Sequence, residues 1–313
     1  MSLLDSFRKG DSRALSKIVS YVENREDNYR KVLSTLFKDT GKAYKLGLTG
    51  PPGAGKSTLM DAITEILVNE GNRVGIIAVD PSSPFTGGAF LGDRIRMQDL
   101  SSNENVFIRS MATRGSMGGL ARATKDVSMV YDAYGFDYIL IETVGVGQVE
   151  LDIIDAADTV VVAIVPESGD VIQAMKAGLM EIANVFCVNK ADREGSDRII
   201  MELNHLLQIK RDKADWSFPV IPTSAVKKEG VDQLVKAVMQ HKDYLMESGL
   251  FRANRKEQIR KDIIEHIRVM LSANIEDKLH SGEAFENLLE DIYERKNDPV
   301  KTAVELYEKH YSN

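Results

Sequence analysis

GPPGAGKS, residues 50–57, is the stretch that decides the fold of this chain of 313 residues. It matches the phosphate-binding loop pattern G-x-x-x-x-G-K-[ST] at every fixed position. The apolar run AYKLGLT leads into it, and the helix-forming run STLMDAITEILVNE follows. A strand before the loop and a helix after it are the context that this pattern needs. The stretch therefore predicts a loop that binds the phosphates of a nucleoside triphosphate.

Small residues form the predicted phosphate cradle. Glycine lets the backbone adopt positive φ and approach phosphate oxygens without a clash at Cβ. Successive backbone N–H groups can then point into one concavity that holds an anion. The loop positions assigned to the nucleotide are Gly50, Gly53, Ala54 and Gly55.

The helix that follows the loop supplies the next candidates. Its positive dipole end lies beneath the phosphates. Lys56 is expected to bridge the β- and γ-phosphates, and the Ser57 hydroxyl to coordinate Mg²⁺. Thr58 belongs to the same nucleotide-binding stretch, where packing and helix initiation suit it better than a second contact with the metal.

Apolar runs alternate with helical patterns through the middle of the chain. This alternation predicts βαβ units, and hence an α/β fold of the P-loop NTPase type with a mostly parallel sheet flanked by helices. Ligands of such sheets bind at the carboxyl ends of the strands. The predicted strands are the runs LGLT, RVGIIAVD, NVFIRS, DYILIE, TVVVAIV, NVFCVN and PVIPTS.

The chain divides into three predicted regions. Residues 1–40 form an N-terminal helical extension with two short amphipathic helices, and residues 41–245 form the P-loop core. Residues 246–313 form a charged C-terminal helical arm, broken at Ser281-Gly282 and restarted at Asp298-Pro299. One apolar stripe runs along this arm, and it either folds back on the core or pairs with a second subunit: Ile259, Ile263, Ile264, Ile267, Met270, Leu271, Ile275 and Leu279.

Composition excludes several classes of protein. The net charge of −7 argues against a nucleic-acid partner. The longest apolar run, residues 159–165, is far too short to span a membrane and is typical of a buried strand. Charges occur too early at the N-terminus for a secretory signal, and a single cysteine, expected to be buried in its strand, suits a reducing compartment. We expect a cytoplasmic protein.

NKAD, residues 189–192, predicts which base is bound. It follows a strand and matches the guanine-reading pattern N-K-x-D. The Asp192 carboxylate can accept hydrogen bonds from guanine N1–H and the 2-amino group, and adenine offers neither donor. Asn189 would steady the loop, and the Lys190 stem can lie over the ring. The TSA element at 223–225 adds Ser224 and Ala225 as a second contact, a backbone N–H to guanine O6. GTP is therefore favoured over ATP.

Glu142 ends the predicted strand DYILIE and begins the candidate hydrolytic machinery. Small GTPases carry Asp-x-x-Gly here, whereas this chain has Glu142 and Gly145. The glutamate is expected to hold Mg²⁺ through water, and the Gly145 N–H to sense the γ-phosphate. Gln148 is a candidate for orienting the attacking water, or else a residue that packs in a switch loop. No arginine finger is assigned, although four arginines lie in candidate switch regions: Arg94, Arg96, Arg109 and Arg114.

Asp80 and Asp93 are a further pair of carboxylates near the expected Mg²⁺. Either can ligate the metal directly or through water. The alternative is a solvated loop in which Asp93 only caps a helix.

Four longer motifs resemble those of the methylmalonyl-CoA mutase-associated GTPases, the MeaB family, whose older annotations name an arginine/ornithine transport kinase, ArgK. They are VDPSSPFTGGAFLGDRIRM, ETVGVGQVE, PESGDVIQAMKAGLMEIA and VNKAD, and the resemblance covers about residues 20–310. It implies a GTPase chaperone that gates cofactor loading and protects an adenosylcobalamin-dependent acyl-CoA mutase, with a homodimer joined through the C-terminal arm. It also implies that Asp80, Asp93 and Glu142 are the magnesium and switch carboxylates. By the same resemblance, Lys176 relays the nucleotide state to the mutase.

Two other functions compete with this one. A metal-insertion maturation GTPase would need clustered Cys and His, whereas there is no C-x-x-C and the five histidines are scattered, each expected on a helix surface. A kinase of an arginine/ornithine transport system would need an acceptor site and a base for it, and the NKAD element favours a switch protein instead.

Overall fold

The computed structural model describes residues 2–80, 103–112, 119–143, 152–166, 178–212, 214–280 and 283–311. These residues form two compact units, Met1–Arg255 and Lys256–Asn313. The larger unit contains the phosphate loop and the NKAD element, and it also includes the N-terminal helices.

A seven-stranded parallel sheet lies at the centre of the larger unit, with strand order β3-β2-β4-β1-β5-β6-β7. Each of the seven apolar runs forms one of these strands, so the predicted α/β class is confirmed. The strands are β1 (Tyr44–Thr49), β2 (Val74–Asp80), β3 (Val106–Ala112), β4 (Tyr138–Glu142), β5 (Thr159–Ile164), β6 (Val185–Val188) and β7 (Val220–Pro222).

Helices flank both faces of the sheet. In the described residues of the larger unit they are α1 (Leu3–Arg8), α2 (Ser12–Glu23), α3 (Tyr29–Leu36), α4 (Lys56–Asn69), α5 (Gly119–Tyr134), α6 (Leu179–Ile182), α7 (Ser196–Arg211) and α8 (Val231–Glu247). A ninth, α9 (Leu250–His280), begins there and continues into the smaller unit.

The core lies on both sides of the sheet. Helices α4 and α8 bury one face of β1 and its neighbours, and α2, α3 and α5 bury the other face of the sheet at β2, β3 and β4. A third cluster joins α6 and α7 to β5 and β6. The predicted buried strand at 159–165 and the buried Cys187 are both confirmed, since β5 and β6 are buried throughout.

The two predicted N-terminal helices correspond to α2 and α3, and the structure adds a third helix, α1, before them and a 3₁₀ turn at Phe37–Asp39. Asp11 caps α2, where its Oδ1 accepts from the Arg13 N–H at 2.8 Å, and this cap separates α1 from α2. Left-handed Asn28, with φ of 66°, separates α2 from α3. Asp11 and Asn28 are therefore the local signals that separate the three helices.

Parallel register brings the functional strand ends together. Leu48 of β1 is aligned with Glu142 of β4 and with Val161 of β5. On the far side of β4, Ala78 of β2 is aligned with the same Glu142. The phosphate loop, Glu142 and the end of β2 therefore share the carboxyl edge of the sheet, where ligands of such sheets bind.

The smaller unit is helical. It contains most of α9, then α10 (Glu283–Tyr293) and α11 (Pro299–Tyr311), whose starts agree with the predicted restarts. Six apolar side chains of α9 are between 42% and 56% exposed: Ile259, Ile263, Ile264, Ile267, Met270 and Leu271. Among the helices in the described part of the chain, none has the length and apolar character needed to cross a membrane.

Candidate nucleotide-binding site

Two glycines of the phosphate loop are required by its geometry. Gly50 has φ of 139°, and a Cβ there would lie 2.1 Å from the main-chain oxygen of Ala163 in β5. Gly55 has φ of 80°, and its Cβ would lie 2.5 Å from Nδ2 of Asn189. A larger residue at Gly50 would push the loop away from β5, and one at Gly55 would displace the side chain of Asn189. Gly53 also has φ of 80°, but its Cβ would meet nothing within 4 Å.

Lys56, the first residue of α4, lies against the loop that precedes it. Its side chain is buried, and Nζ donates to the carbonyl oxygens of Gly50 at 2.9 Å and Pro51 at 3.2 Å. No side chain caps the first turn of α4. The N–H groups and the positive dipole end of this turn are therefore arranged to bind an anion, as are the loop amides.

Ser57 and Glu142 place two oxygen ligands side by side. The Ser57 hydroxyl donates to Oε1 of Glu142 at 2.8 Å, and Glu142 is the buried last residue of β4. Hydroxyl and carboxylate oxygens are the hard ligands that Mg²⁺ prefers, so these residues fit the expected metal. The next residue, Thr143, is also fixed, because its hydroxyl donates to Thr49 Oγ1 at 2.8 Å.

Asp80 lies at the same carboxyl edge of the sheet as Glu142. It ends β2, two residues after Ala78, which is aligned with Glu142. Its side chain lies outside the described residues.

Asn189 connects the phosphate loop to the base-reading residues. Its side chain is 2% exposed, and Nδ2 donates to the Ala54 carbonyl at 2.8 Å. Its Oδ1 accepts from the Ala225 N–H at 3.1 Å and from the Thr223 hydroxyl at 3.2 Å. One buried carboxamide thus joins three segments that are far apart in the sequence.

Asp192 lies at the edge of this constellation, where its carboxylate is partly exposed. Nζ of Lys227 lies 3.2 Å from Oδ2. A hydrogen bond from Ser224 and the nearby Lys227 ammonium hold the pKa of Asp192 below its usual value. The carboxylate is therefore ionised at neutral pH and can only accept, as guanine recognition requires. Lys190, between Asn189 and Asp192, takes a left-handed conformation with φ of 57°.

Other predicted site residues fall outside the described part of the chain. They are Asp93, Gly145, Gln148 and Lys176, and among the arginines Arg94, Arg96 and Arg114. Arg109 is described: it lies in β3, and its Nε donates to Glu23 at 2.7 Å.

Sequence patterns did not identify Thr223 and Lys227 as partners of the base-reading residues. The Thr223 hydroxyl contacts both Asn189 and, at 3.0 Å, the Cys187 sulfur. Burial raises the pKa of the Cys187 thiol to about 12, so this cysteine is a packing residue. The TSA run gave a signal for this segment, but nothing in the sequence indicates its cross-strand contacts.

The expectation that all five histidines lie on helix surfaces was wrong for His241. This residue of α8 is 2% exposed, and its Nδ1 lies 2.6 Å from Thr159 Oγ1. Burial lowers the pKa of His241 to about 4. Within the described residues, no three His, Cys, Asp or Glu side chains come together as a metal-binding group.

Comparisons with known proteins agree with this geometry. A family model described as methylmalonyl-CoA mutase-associated GTPase MeaB matches residues 15–280. A protein of Pyrococcus abyssi named as a GTPase is 47% identical over 304 residues, which cover 96% of this chain and 94% of that protein. The mouse protein named methylmalonic aciduria type A homolog, mitochondrial, is 32% identical over 286 residues, or 83% of this chain and 69% of that protein. A crystal structure of an LAO/AO transport system kinase superposes with a TM-score of 0.73 at 27% identity, covering 98% of this chain and 95% of the other.

Proposed function

We propose, since the chain belongs to the MeaB family of methylmalonyl-CoA mutase-associated GTPases, that it is a GTP-hydrolysing chaperone of an adenosylcobalamin-dependent acyl-CoA mutase. In this role it gates the loading of the cofactor and protects the mutase from inactivation. The observation that carries the proposal is the family match over residues 15–280. GTP hydrolysis follows from the family and the fold, whereas the choice of partner is the proposed step.

Base selection is assigned to Asp192. Its carboxylate accepts from guanine N1–H and the 2-amino group, and Ser224 and Lys227 contact the same carboxylate. Adenine would leave the carboxylate without these donors, which disfavours ATP. The sequence assigned a backbone N–H of the TSA element to guanine O6, but the N–H groups of Thr223, Ser224 and Ala225 already donate to Val188 O, Glu229 O and Asn189 Oδ1. A contact with O6 would therefore have to share or displace one of these bonds.

Phosphate binding is assigned to the loop amides and Lys56. The ammonium that now donates to Gly50 and Pro51 would move onto the β- and γ-phosphates. Ser57 and Glu142 would hold Mg²⁺, with Asp80 and Asp93 as further ligands. When bound, the metal supplies positive charge that offsets the negative charge developing on the transferred phosphoryl group.

Hydrolysis transfers the γ-phosphoryl group to water. Positioning and electrostatic stabilisation account for most of the catalysis in this class of reaction. We assign Gly145 to sensing the γ-phosphate and Gln148 to orienting the water, and Lys176 to relaying the nucleotide state to the mutase. Because no glutamine lies next to Gly145 in the sequence to orient the water, the isolated protein is expected to hydrolyse GTP slowly. Groups supplied by a partner can add about 10³–10⁵ in rate.

Homodimerisation through the arm is part of the proposal. The exposed apolar stripe of α9 would be buried against the same stripe of a second copy. Removing residues 256–313 leaves the larger compact unit intact and should give monomers by light scattering. A dimer after this truncation would contradict the assignment. The cytoplasm stays our prediction for where the protein acts, on the grounds of its single cysteine.

A second candidate function is favoured by one observation. The superposed structure is of a protein named as a transport system kinase. A kinase would transfer the γ-phosphoryl group to an acceptor, whereas a GTPase releases inorganic phosphate. Following labelled γ-phosphate in the presence of arginine, ornithine and candidate acceptor proteins separates the two, since acceptor labelling would support the kinase. The metal-insertion GTPase stays an alternative, which tight Ni²⁺ binding in solution would support.

The chaperone role is tested by cofactor loading. Purified apo methylmalonyl-CoA mutase is loaded with adenosylcobalamin in the presence of this protein and GTP, GDP or a non-hydrolysable GTP analogue. Loading is expected to depend on the nucleotide, with GTP and its analogue differing because only GTP is turned over. The Lys56→Ala variant, which lacks the phosphate-binding ammonium, should abolish this dependence. Equal loading under all conditions would contradict the gating role.

A further inference from the structure

The base loop, residues 225–230, is hydrogen-bonded beside Asn189. Its first residue, Ala225, donates its N–H to Asn189 Oδ1 at 3.1 Å. Ser224 and Glu229 close the loop with two main-chain bonds, Ser224 N–H to Glu229 O at 2.9 Å and Glu229 N–H to Ser224 O at 3.2 Å. The side chains between these points therefore project from a fixed frame.

Two adjacent lysines of the base loop contact different carboxylates. Lys227 lies 3.2 Å from Oδ2 of Asp192, the residue assigned to guanine. Lys228 instead pairs with Glu65 on α4, and its backbone is left-handed, with φ of 58°. The two side chains have the same charge and similar exposure, at 52% and 61%. Only one of them touches a base-reading group.

We propose that Lys227 is a positioning residue for guanine recognition, which holds the Asp192 carboxylate in the orientation that accepts the base. The inference rests on the proposed assignment of Asp192 to guanine. Each carboxylate oxygen has two lone pairs, so the contact with Lys227 leaves acceptor directions for guanine N1–H and the 2-amino group. A carboxylate held before binding loses less conformational freedom when the base arrives.

The positive charge of Lys227, like its position, favours guanine recognition by Asp192. A positive group beside Asp192 favours the ionised, accept-only form. Because both side chains are partly exposed, the contribution is modest and is screened by salt. Loss of Lys227 should therefore weaken guanine-nucleotide binding by about two- to fivefold at low ionic strength. In about 1 M KCl the difference should largely disappear.

The test compares Lys227→Met with Lys228→Met as the matched control. Dissociation constants for GDP are measured with Mg²⁺ present, by competition with a fluorescent guanine nucleotide, at low and high KCl. Lys227→Met should weaken GDP binding by the stated factor at low salt only, and Lys228→Met should leave it unchanged. The same pair is then made in an Asp192→Asn background and measured with xanthosine diphosphate. There Lys227→Met should have no effect, because the neutral amide gives the ammonium no charge to hold.

Each result separates the inference from the proposal beneath it. If Asp192→Asn leaves GDP affinity unchanged, the assignment of Asp192 fails, and the role of Lys227 falls with it. If Asp192→Asn weakens GDP binding but the two lysine variants behave alike, only the inference about Lys227 fails. Tighter GDP binding by Lys227→Met would show that the lysine competes with guanine, which also overturns the inference.

Discussion

Replacing Asn189 by alanine would remove the side chain that joins the phosphate loop to the base loop. The carbonyl of Ala54 and the N–H of Ala225 would each lose a buried partner, now at 2.8 and 3.1 Å. A buried polar group left unsatisfied costs about 1–3 kcal/mol, and water entering the new space would offset part of this cost. We expect the free energy of unfolding to fall by about 2–4 kcal/mol. Thr223 loses less, because its hydroxyl keeps its contact with Cys187.

Nucleotide binding should fall in the same variant. The lost bonds orient the loops for the phosphates and the base, so GDP affinity is expected to decrease by about tenfold or more. Urea unfolding measures the stability, and competition with a fluorescent guanine nucleotide measures the affinity.

Asn184→Ala is the matched control for Asn189→Ala. The Asn184 side chain accepts from the Val160 N–H at 2.8 Å, at the other end of β6 from the site. Its loss should cost about 1–2 kcal/mol of stability and leave GDP affinity unchanged. If Asn189→Ala destabilises the protein no more than this control, or binds GDP as the wild type does, Asn189 does not join the two loops in the way described.

Three further predictions concern stability. Gly50→Ala should abolish nucleotide binding and destabilise the fold, because the new Cβ would lie 2.1 Å from a main-chain oxygen. Gly53→Ala has open space around its Cβ, so it should lower the free energy of unfolding by only about 1 kcal/mol and still bind nucleotide. The pKa of His241 is lowered from 6.5 to about 4, so between these pH values the unfolded chain binds more protons than the folded protein. The free energy of unfolding should therefore fall by about 2 kcal/mol from pH 7.5 to pH 5. His241→Gln should lose this dependence in denaturant titrations at the two pH values, and a wild-type curve that matches the variant's would contradict the assignment. Arg255→Met should lower the free energy of unfolding by about 3–5 kcal/mol, because Asp158, 2% exposed, loses both Arg255 contacts of 2.6 Å. Calorimetry or urea unfolding measures this loss. The double variant with Asp158→Asn should recover part of it if the ion pair is the cause.

Local signals in the sequence predicted the scaffold of the site. The phosphate loop depends on residues close together in the chain, since the glycines set the backbone and Lys56 begins the helix. Alternating apolar runs predicted the parallel sheet in the same way, and parallel topology places strand ends at one edge. Glu142 could therefore be predicted near Ser57 from its position at the end of a strand.

Contacts between distant segments could not be predicted from these patterns. The bond from Asn189 to Ala54 and the approach of Lys227 to Asp192 depend on strand register and on the shape of the base loop. His241 occurs in a charged helix that resembles a surface helix, and only the tertiary packing buries it. Its burial follows from the position of α8 against β5, which single-helix periodicity does not reveal.

An adenosylcobalamin-dependent mutase is the proposed partner of this GTPase. The most direct measurement is the release of inorganic phosphate from GTP with and without purified methylmalonyl-CoA mutase, with ATP as the nucleotide control. We expect slow turnover of GTP alone, acceleration by the mutase of about tenfold or more, and no comparable turnover of ATP. GTP turnover that the mutase leaves unchanged would contradict the proposed partner, and preferred turnover of ATP would contradict the assignment of Asp192 to guanine.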